Sequence, residues 1–195
     1  MVNPGPQTFL DQHQQRFAAE WRELLATFRD FQVSPPAQRV QMLGVLFERC
    51  SPWIERAIRS TSMRHFLLLP TEMLVARIFA RVAHREQLPD HHGAFLMWVE
   101  GSILTDLADP SDDLGVCNGA PGEPPAELQQ QFNNLPYAER ALFYLYMMED
   151  YDAAALAHKT GVPQPKLSQA LQQVWRQLEK DADGNLPGHW RPPTS

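Results

Sequence analysis

The sequence predicts an all-α protein with two small helical domains and an extra N-terminal helix. Along most of the 195 residues, apolar side chains recur at intervals of three and four, the spacing that places them on one face of a helix. The alternating pattern of a β-strand is essentially absent. Between the two halves, a stretch rich in Pro, Gly and Asp predicts a linker, which we place at residues 110–126.

Residues 1–36 are predicted to form an N-terminal extension that contains one helix. Its aromatic and aliphatic residues fall on a single helical stripe. This stripe contains Phe9, His13, Phe17, Trp21, Leu24, Leu25 and Phe28. The Ser34-Pro35-Pro36 sequence ends this helix and is suited to begin the next one. The aromatic residues of the stripe are expected to pack either within the chain or against a partner protein.

Residues 37–109 are predicted to form the first helical domain. Three helices are expected in it, at residues 37–60, 71–84 and 95–107. The apolar stripe of the first of these helices includes Val40 and Phe47, and Pro52 predicts an irregularity within it. Thr71 precedes the apolar positions of the second helix, where its hydroxyl group is expected to cap the helix.

Residues 127–181 are predicted to form the second helical domain, followed by a tail at residues 182–195. Two helices are expected first, at residues 128–132 and 138–148. A helix, a turn and a second helix complete the domain. Gly161 favours a turn with a positive φ, and Ala157 is small enough to let the two helices cross closely. Apolar contacts between the paired helices are expected from Leu156, Val162, Leu167 and Leu171.

Charge and cysteine content narrow the classes of function. A net charge of -6 opposes general attraction to nucleic-acid phosphates, so any DNA contact requires a local basic patch. Cys50 and Cys117 are far apart and lack metal-ligand spacing, which favours reduced thiols over a disulfide or a zinc site. The chain has neither the pattern of a secretory leader nor an apolar run of roughly 20 residues. These features predict a cytoplasmic protein without membrane insertion.

A histidine pair is the only cluster that suggests an enzyme. His91 and His92 follow Asp90 in a short polar break between predicted helices. Such a cluster is more often a solvated loop than a metal or catalytic site. The sequence therefore predicts no catalytic residue, no metal and no cofactor, and the protein is not expected to be an enzyme.

Five segments, taken in order over residues 39–180, resemble a bacterial sigma factor of the extracytoplasmic-function group. They are LFERCSPWIERAIRS (Leu46 to Ser60), LVARIFARVA (Leu74 to Ala83), FLMWVEGSILTDL (Phe95 to Leu107), LPYAERALFYLY (Leu135 to Tyr146) and LAHKTGVPQPKLSQAL (Leu156 to Leu171). The resemblance implies a front domain like sigma region 2 and a rear helix-turn-helix domain like sigma region 4. It also implies a role in transcription initiation, with core RNA polymerase and promoter DNA as partners.

The resemblance assigns roles to particular residues. Polymerase contact is expected from Glu72, Arg77 and Arg81. Contact with DNA in a major groove is expected from the second of the paired helices and the end of the first. The residues expected there are Lys159, Lys166, Ser168, Gln169, Gln172, Gln173 and Arg176.

The charges of the chain differ from the usual pattern of this group. Where relatives present an acidic cluster to the polymerase, Glu72 is the sole carboxylate and Arg77 adds a cation. From Trp98 to Asp113 there is no Lys or Arg, and five carboxylates are expected to repel DNA. These are Glu100, Asp106, Asp109, Asp112 and Asp113. Residues 151–180 contain four cations and two carboxylates, a small net positive charge for a DNA-reading unit.

Two alternatives follow from this weakened charge. The chain is either a divergent sigma factor or a sigma-like interaction module that binds an anti-sigma factor or another regulator without binding DNA. A variant of the first adds a regulatory kinase that phosphorylates Thr71. A phosphate at this helix start is favoured by the helix dipole and restores negative charge near Glu72.

Overall fold

The structure is a computed structural model that describes residues 6–108, 126–182, 184 and 186–193. This described part contains eight α-helices and no strand, which confirms the all-α prediction. The helices are α1 (Pro6–Val33), α2 (Pro36–His65), α3 (Thr71–Ala83), α4 (His92–Ala108), α5 (Ala126–Asn133), α6 (Tyr137–Met147), α7 (Ala153–Thr160) and α8 (Gln164–Asp181). Apart from its last residue, the predicted linker at 110–126 lies outside the described residues.

Helix α2 is longer than its sequence pattern predicted. It continues past Ser60 to His65, and Pro52 lies inside it without ending it. A proline within a helix removes one backbone N–H and crowds the preceding turn. Just before it, the Ser51 hydroxyl group donates a hydrogen bond to the Phe47 carbonyl oxygen at 2.5 Å. Residues on both sides of the proline are buried, so tertiary packing outweighs the local preference to break the helix.

The chain divides into two compact units. Unit 1 comprises the described residues of Met1–Ile58 and Leu74–Asp109, and unit 2 those of Arg59–Met73 and Pro110–Ser195. The last turns of α2, the connector to α3 and the first three residues of α3 thus belong to unit 2, whereas the sequence pattern predicts them in the first domain. Unit 2 is therefore assembled from two separate stretches of chain.

Helix α1 is an integral part of unit 1. The Trp21 ring lies 5.3 Å from the Trp53 ring of α2 and 5.0 Å from the Phe95 ring of α4. Phe17 lies 6.0 Å from the same Trp53 ring. From Phe17 to Phe28 the aromatic stripe therefore packs within the chain, and the side chains of Phe9 and His13 lie outside the described part. The buried core of the unit includes Trp21, Leu24, Phe28, Leu46, Ile54, Ile58, Leu74, Ile78, Val82, Phe95, Val99 and Ile103.

The connector between α2 and α3 packs into the core of unit 2. Leu68 is buried there, and its backbone N–H donates to Asn133 Oδ1 at 2.9 Å. Asn133 Nδ2 donates in return to the Leu68 carbonyl oxygen at 2.8 Å. Phe66, with a positive φ of 52°, lies 5.6 Å from the Tyr137 ring and 5.8 Å from the Tyr144 ring. One side-chain amide thus binds both polar groups of a residue in the connector.

The predicted tail also contributes to the core of unit 2. Trp190 is 5% exposed, and its ring lies 5.7 Å from the Phe143 ring of α6. Its backbone N–H donates to the Pro187 carbonyl oxygen at 2.9 Å. The other buried residues of this core include Leu128, Phe132, Leu135, Tyr144, Leu156, Leu167, Leu171, Val174 and Leu178.

The histidine pair is part of the packing of unit 1. His92 is the first residue of α4, and its ring lies 5.7 Å from the Trp53 ring. Burial is the largest effect that lowers the pKa of His92 below its usual value, followed by the charges of His91 and Arg56. The Gly93 N–H donates to His91 Nδ1 at 3.0 Å, a bond that requires an unprotonated Nδ1. Burial and the neighbouring charges therefore favour the neutral form of His92.

Acidification is therefore expected to destabilise unit 1. The unfolded chain binds protons at its histidines near pH 6.5, whereas folded His92 resists protonation, so stability falls as the pH drops below about 6.5. The check is the urea unfolding midpoint at pH 7.5 and 5.5. A His92→Gln variant should lose less stability on acidification than the natural chain, while a variant of the exposed His84, His84→Gln, should lose as much. An equal loss in all three proteins would contradict the expectation.

Candidate nucleic-acid interface

Helices α7 and α8 form a pair joined by the short turn at residues 161–163. The Asp152 carboxylate begins α7 by accepting a hydrogen bond from the Ala155 N–H at 2.7 Å. Gly161 ends α7 with a φ of 71°, and its N–H donates to the Ala157 carbonyl oxygen at 2.9 Å. The predicted positive φ at Gly161 is thus confirmed, and this left-handed residue ends α7 just before the chain enters α8.

Replacing Gly161 with alanine is expected to destabilise unit 2 by roughly 1–2 kcal/mol, the cost of a left-handed conformation for a residue with a Cβ. No atom lies within 4 Å of the position a Cβ would take, so backbone strain is the whole effect. At Gly101, inside α4 and equally open, the same change should instead stabilise the protein by roughly 0.5–1 kcal/mol. Urea unfolding measures both changes, and a Gly161→Ala protein as stable as the natural chain would contradict the expectation.

One face of α8 holds the helix pair against unit 2. Leu167, Leu171, Val174 and Leu178 are buried on it, and α8 packs against α5, α6 and α7. From α7, Leu156 is buried in the same core. The prediction that Val162 helps hold the two helices together is wrong, since this side chain is 38% exposed in the turn. Its exposure follows from its place in the turn, beyond the end of α7 and before α8 begins.

The opposite face of α8 presents most of the residues predicted to contact DNA. Lys166, Gln169, Gln173 and Arg176 are exposed, whereas Ser168 and Gln172 are half-buried at the edge of this face. On α7, Lys159 is exposed and its Nζ lies 5.0 Å from the centre of the Tyr151 ring. The structure therefore places one continuous polar surface along α8, with Lys159 on the preceding helix.

The start of α8 offers few backbone donors for a phosphate. Pro163 precedes the helix without a side-chain cap, and Pro165 in the first turn has no N–H. The N–H groups of Lys166 and Leu167 donate to the Pro163 carbonyl oxygen at 3.0 and 3.3 Å. Any phosphate contact at this surface would therefore depend mainly on cationic side chains, in contrast to helix starts that bind anions through free N–H groups.

Two of the residues predicted to contact polymerase form ion pairs inside unit 1. Arg81 Nη2 lies 2.6 Å from Asp106 Oδ1, and Arg77 Nη2 lies 3.8 Å from Asp106 Oδ2. The third, Glu72, is exposed in the first turn of α3. The structure thus directs the α3 arginines towards a carboxylate of α4.

The prediction that Asp106 repels DNA is wrong. Its side chain is 4% exposed and paired with arginines, so it adds little negative charge to the surface. Sequence reasoning missed this pair because its two members lie on different helices. Of the other four carboxylates in that prediction, Glu100 is half-buried, and Asp109, Asp112 and Asp113 lie outside the described residues.

The predicted phosphosite, Thr71, is the first residue of α3 and is half-buried. Its hydroxyl group donates to the Leu69 carbonyl oxygen at 3.5 Å, a long hydrogen bond that adds little stability. Glu72 is the acidic residue of the same first turn. The site therefore combines a hydroxyl group, a helix start and one carboxylate.

An apolar surface on unit 1 was not expected from the sequence. Val40, predicted to lie on the buried stripe of α2, is 82% exposed, and Phe47 is 41% exposed. Val40 lines a cavity of about 560 Å³ together with Phe31, Leu43 and Ala83. Arg39 and Arg85 also line this cavity. The ends of α1 and α3 meet the start of α2 here, and no other described residue covers the first turns of α2.

The described residues show neither a metal site nor a reactive cysteine. Among them, no group of three or more His, Cys, Asp or Glu residues is arranged to hold a metal ion. Burial raises the pKa of the Cys50 thiol to about 12, so the reactive thiolate form is scarce at neutral pH. In the part of the chain described, no helix is both long and apolar enough to cross a membrane. The chain matches no family model, no curated protein and no solved structure.

Proposed function

We propose that the chain is a divergent transcription-initiation factor of the sigma type, in which α8 contacts promoter DNA and unit 1 contacts core RNA polymerase. One observation supports this most strongly. The α7–α8 pair, closed by a left-handed Gly161, presents a polar face of α8 to solvent and buries its apolar face in unit 2. A major groove is about 12 Å wide and accepts a helix presented in this way.

The charges of the interface suit a weak, salt-sensitive contact. The exposed cations of the helix pair are Lys159, Lys166, Arg176 and Lys180, close to the exposed Glu179. Each cation that neutralises a phosphate releases counterions, so binding strengthens as the salt concentration falls. Because these cations are few, stable promoter binding requires further contacts, which polymerase supplies in this proposal.

The test measures polymerase binding and promoter binding with the purified full-length chain. Co-elution with core RNA polymerase, and a shift of promoter DNA at low salt by the resulting complex, are expected. Lys166→Ala and Arg176→Ala should weaken the DNA shift without changing co-elution, because both residues are exposed on α8 and remote in sequence from α3. The proposal would be overturned by a chain that binds neither polymerase nor promoter DNA, whether or not Thr71 is phosphorylated.

A second candidate function is a sigma-like module that binds an anti-sigma factor or another regulator without binding DNA. The apolar cavity beside Val40 favours it, since exposed apolar surface of this kind is typical of protein contacts. Recovery of a regulator without polymerase subunits from the native lysate, lost in a Val40→Glu variant, would support this function over the first.

The kinase variant of the first proposal concerns Thr71. A phosphate there would lie beside Glu72 at the start of α3 and add up to two negative charges. Transcription from a cognate promoter should then require the phosphorylated chain, and Thr71→Ala should abolish it. Unchanged transcription with the Thr71→Ala protein would rule out regulation by a kinase at this residue. It would leave the DNA-binding proposal intact.

A further inference from the structure

The exposed residues of α8 are arranged in a particular order. Lys166, Gln169, Gln173 and Arg176 follow one another at intervals of three, four and three residues. At 100° per residue, these four side chains fall within an arc of about 80° on the helix surface. The buried residues Leu167, Leu171, Val174 and Leu178 occupy the opposite side. We call these four residues, Lys166, Gln169, Gln173 and Arg176, the exposed line of α8; it consists of two amides flanked by two cations.

The two amides are available for an external partner. Within the described residues, neither Gln169 nor Gln173 makes a side-chain hydrogen bond, and both are exposed. A glutamine amide offers a donor and an acceptor side by side, which match N7 and the N6 amino group of adenine in the major groove. Lysine and arginine instead prefer phosphates or the acceptor edge of guanine. The centre of the line is therefore chemically suited to adenine.

The spacing of the amides sets the distance between the bases they reach. Four residues of α-helix rise about 6 Å along the axis. Successive bases on one strand are separated by about 3.4 Å. Gln169 and Gln173 therefore match two adenines about two base-pair steps apart when α8 lies along the groove.

The small number of cations makes base contacts more important. With only Lys159, Lys166, Arg176 and Lys180 exposed on the pair, at most four phosphates can be neutralised by it. The logarithm of the binding constant should then fall with the logarithm of the salt concentration with a slope no steeper than about -3.6. Phosphate contact of this size leaves a large share of any specific affinity to the base edges.

We propose, on the basis of the function proposed above, that Gln169 and Gln173 determine the sequence preference of this protein by binding two adenines in the major groove. Lys166 and Arg176 flank them and position α8 on the DNA backbone. Gln177 provides an internal control, because it is exposed on the same helix but lies at the margin of the line and towards the helix end.

The experiment selects from a library of randomised 20-base-pair duplexes with the full chain, alone and bound to core RNA polymerase, at low salt. The natural chain should enrich a motif with two adenines about two steps apart. Gln169→Ala and Gln173→Ala should each lose the preference at one of these positions and bind the selected duplex about tenfold more weakly. Gln177→Ala should enrich the unchanged motif.

The cation variants separate this inference from the function on which it rests. Lys166→Ala should weaken binding to all sequences and reduce the salt slope by about one, without changing the motif. Salt-dependent binding with a motif that both glutamine variants retain would overturn the inference and leave DNA binding intact. A chain that neither enriches a motif nor binds DNA, with or without polymerase, would overturn both.

Discussion

Trp190→Ala should destabilise unit 2 by about 3–5 kcal/mol, the usual cost of truncating a large buried aromatic side chain. Trp190 lies in a tail that has no helical periodicity, yet it is buried in the same core as the helix pair and contacts Phe143. Its removal leaves a cavity that the neighbouring helices α6 and α8 fill only partly. Unit 2 also contains the candidate DNA-binding face, so the proposed function predicts weaker DNA binding by this variant.

The measurement is hydrogen exchange of the α6 and α8 amides, together with urea unfolding. Exchange in both helices should become faster in Trp190→Ala, while α4 and the part of α3 after Met73, which belong to unit 1, change little. Trp190→Phe retains an aromatic ring and removes an indole N–H that has no hydrogen-bond partner within the described residues, so it should cost less than the alanine variant. Arg191→Ala, at an exposed neighbour, should change stability by less than about 0.5 kcal/mol. Equal exchange in the natural and Trp190→Ala proteins would show that the tail does not stabilise unit 2.

Arg81→Met should destabilise unit 1 by about 3 kcal/mol, because it leaves the buried Asp106 carboxylate without its close partner. The remaining arginine, Arg77, lies 3.8 Å from Asp106, and within the described residues Asp106 Oδ2 accepts no hydrogen bond. A buried carboxylate with so little compensation is unfavourable. Methionine has a similar length and retains most of the apolar stem, so the lost charge dominates the effect.

A double variant tests whether the ion pair causes the loss. Arg81→Met combined with Asp106→Leu removes both charges and should recover most of the stability lost in Arg81→Met alone. Urea unfolding of the two single variants and the double variant gives the coupling free energy. Additive effects would mean that Asp106 is not stabilised by Arg81. The same double variant provides a fair test of polymerase contact by Arg81, because a single substitution there confounds binding with stability.

The helical pattern was predictable from sequence because it depends on local spacing. In α8, Leu167, Leu171 and Leu178 recur at helical intervals, and these positions are buried as the pattern predicts. Gly161 was recognisable for a similar reason, since a positive φ between two helices favours glycine. The exposed line of α8 follows from the same periodicity. The shape of the candidate interface is therefore largely a local property of the sequence.

Features that depend on distant residues were not predictable. Val40 belongs to an apolar stripe, yet the pattern cannot show whether another helix covers that end of α2, and none does in the described residues. The Arg81–Asp106 pair joins residues 25 positions apart, and nothing local distinguishes Asp106 from the exposed carboxylates of the chain. A single aromatic residue in an irregular tail, such as Trp190, gives no periodic signal. In each case contacts with distant residues determine whether the side chain is buried or exposed, and the local sequence pattern does not.

The two hydrogen bonds between the Asn133 side chain and the Leu68 backbone can form only late in protein synthesis. The two residues are separated by 65 positions, and the earlier one emerges from the ribosome long before its partner exists. At a typical elongation rate of about 5–20 residues per second, Asn133 is synthesised several seconds after Leu68. The core of unit 2 is thus completed only after most of the polypeptide has been made. A C-terminal fragment that begins after the linker would lack Leu68, one of the buried leucines of this core.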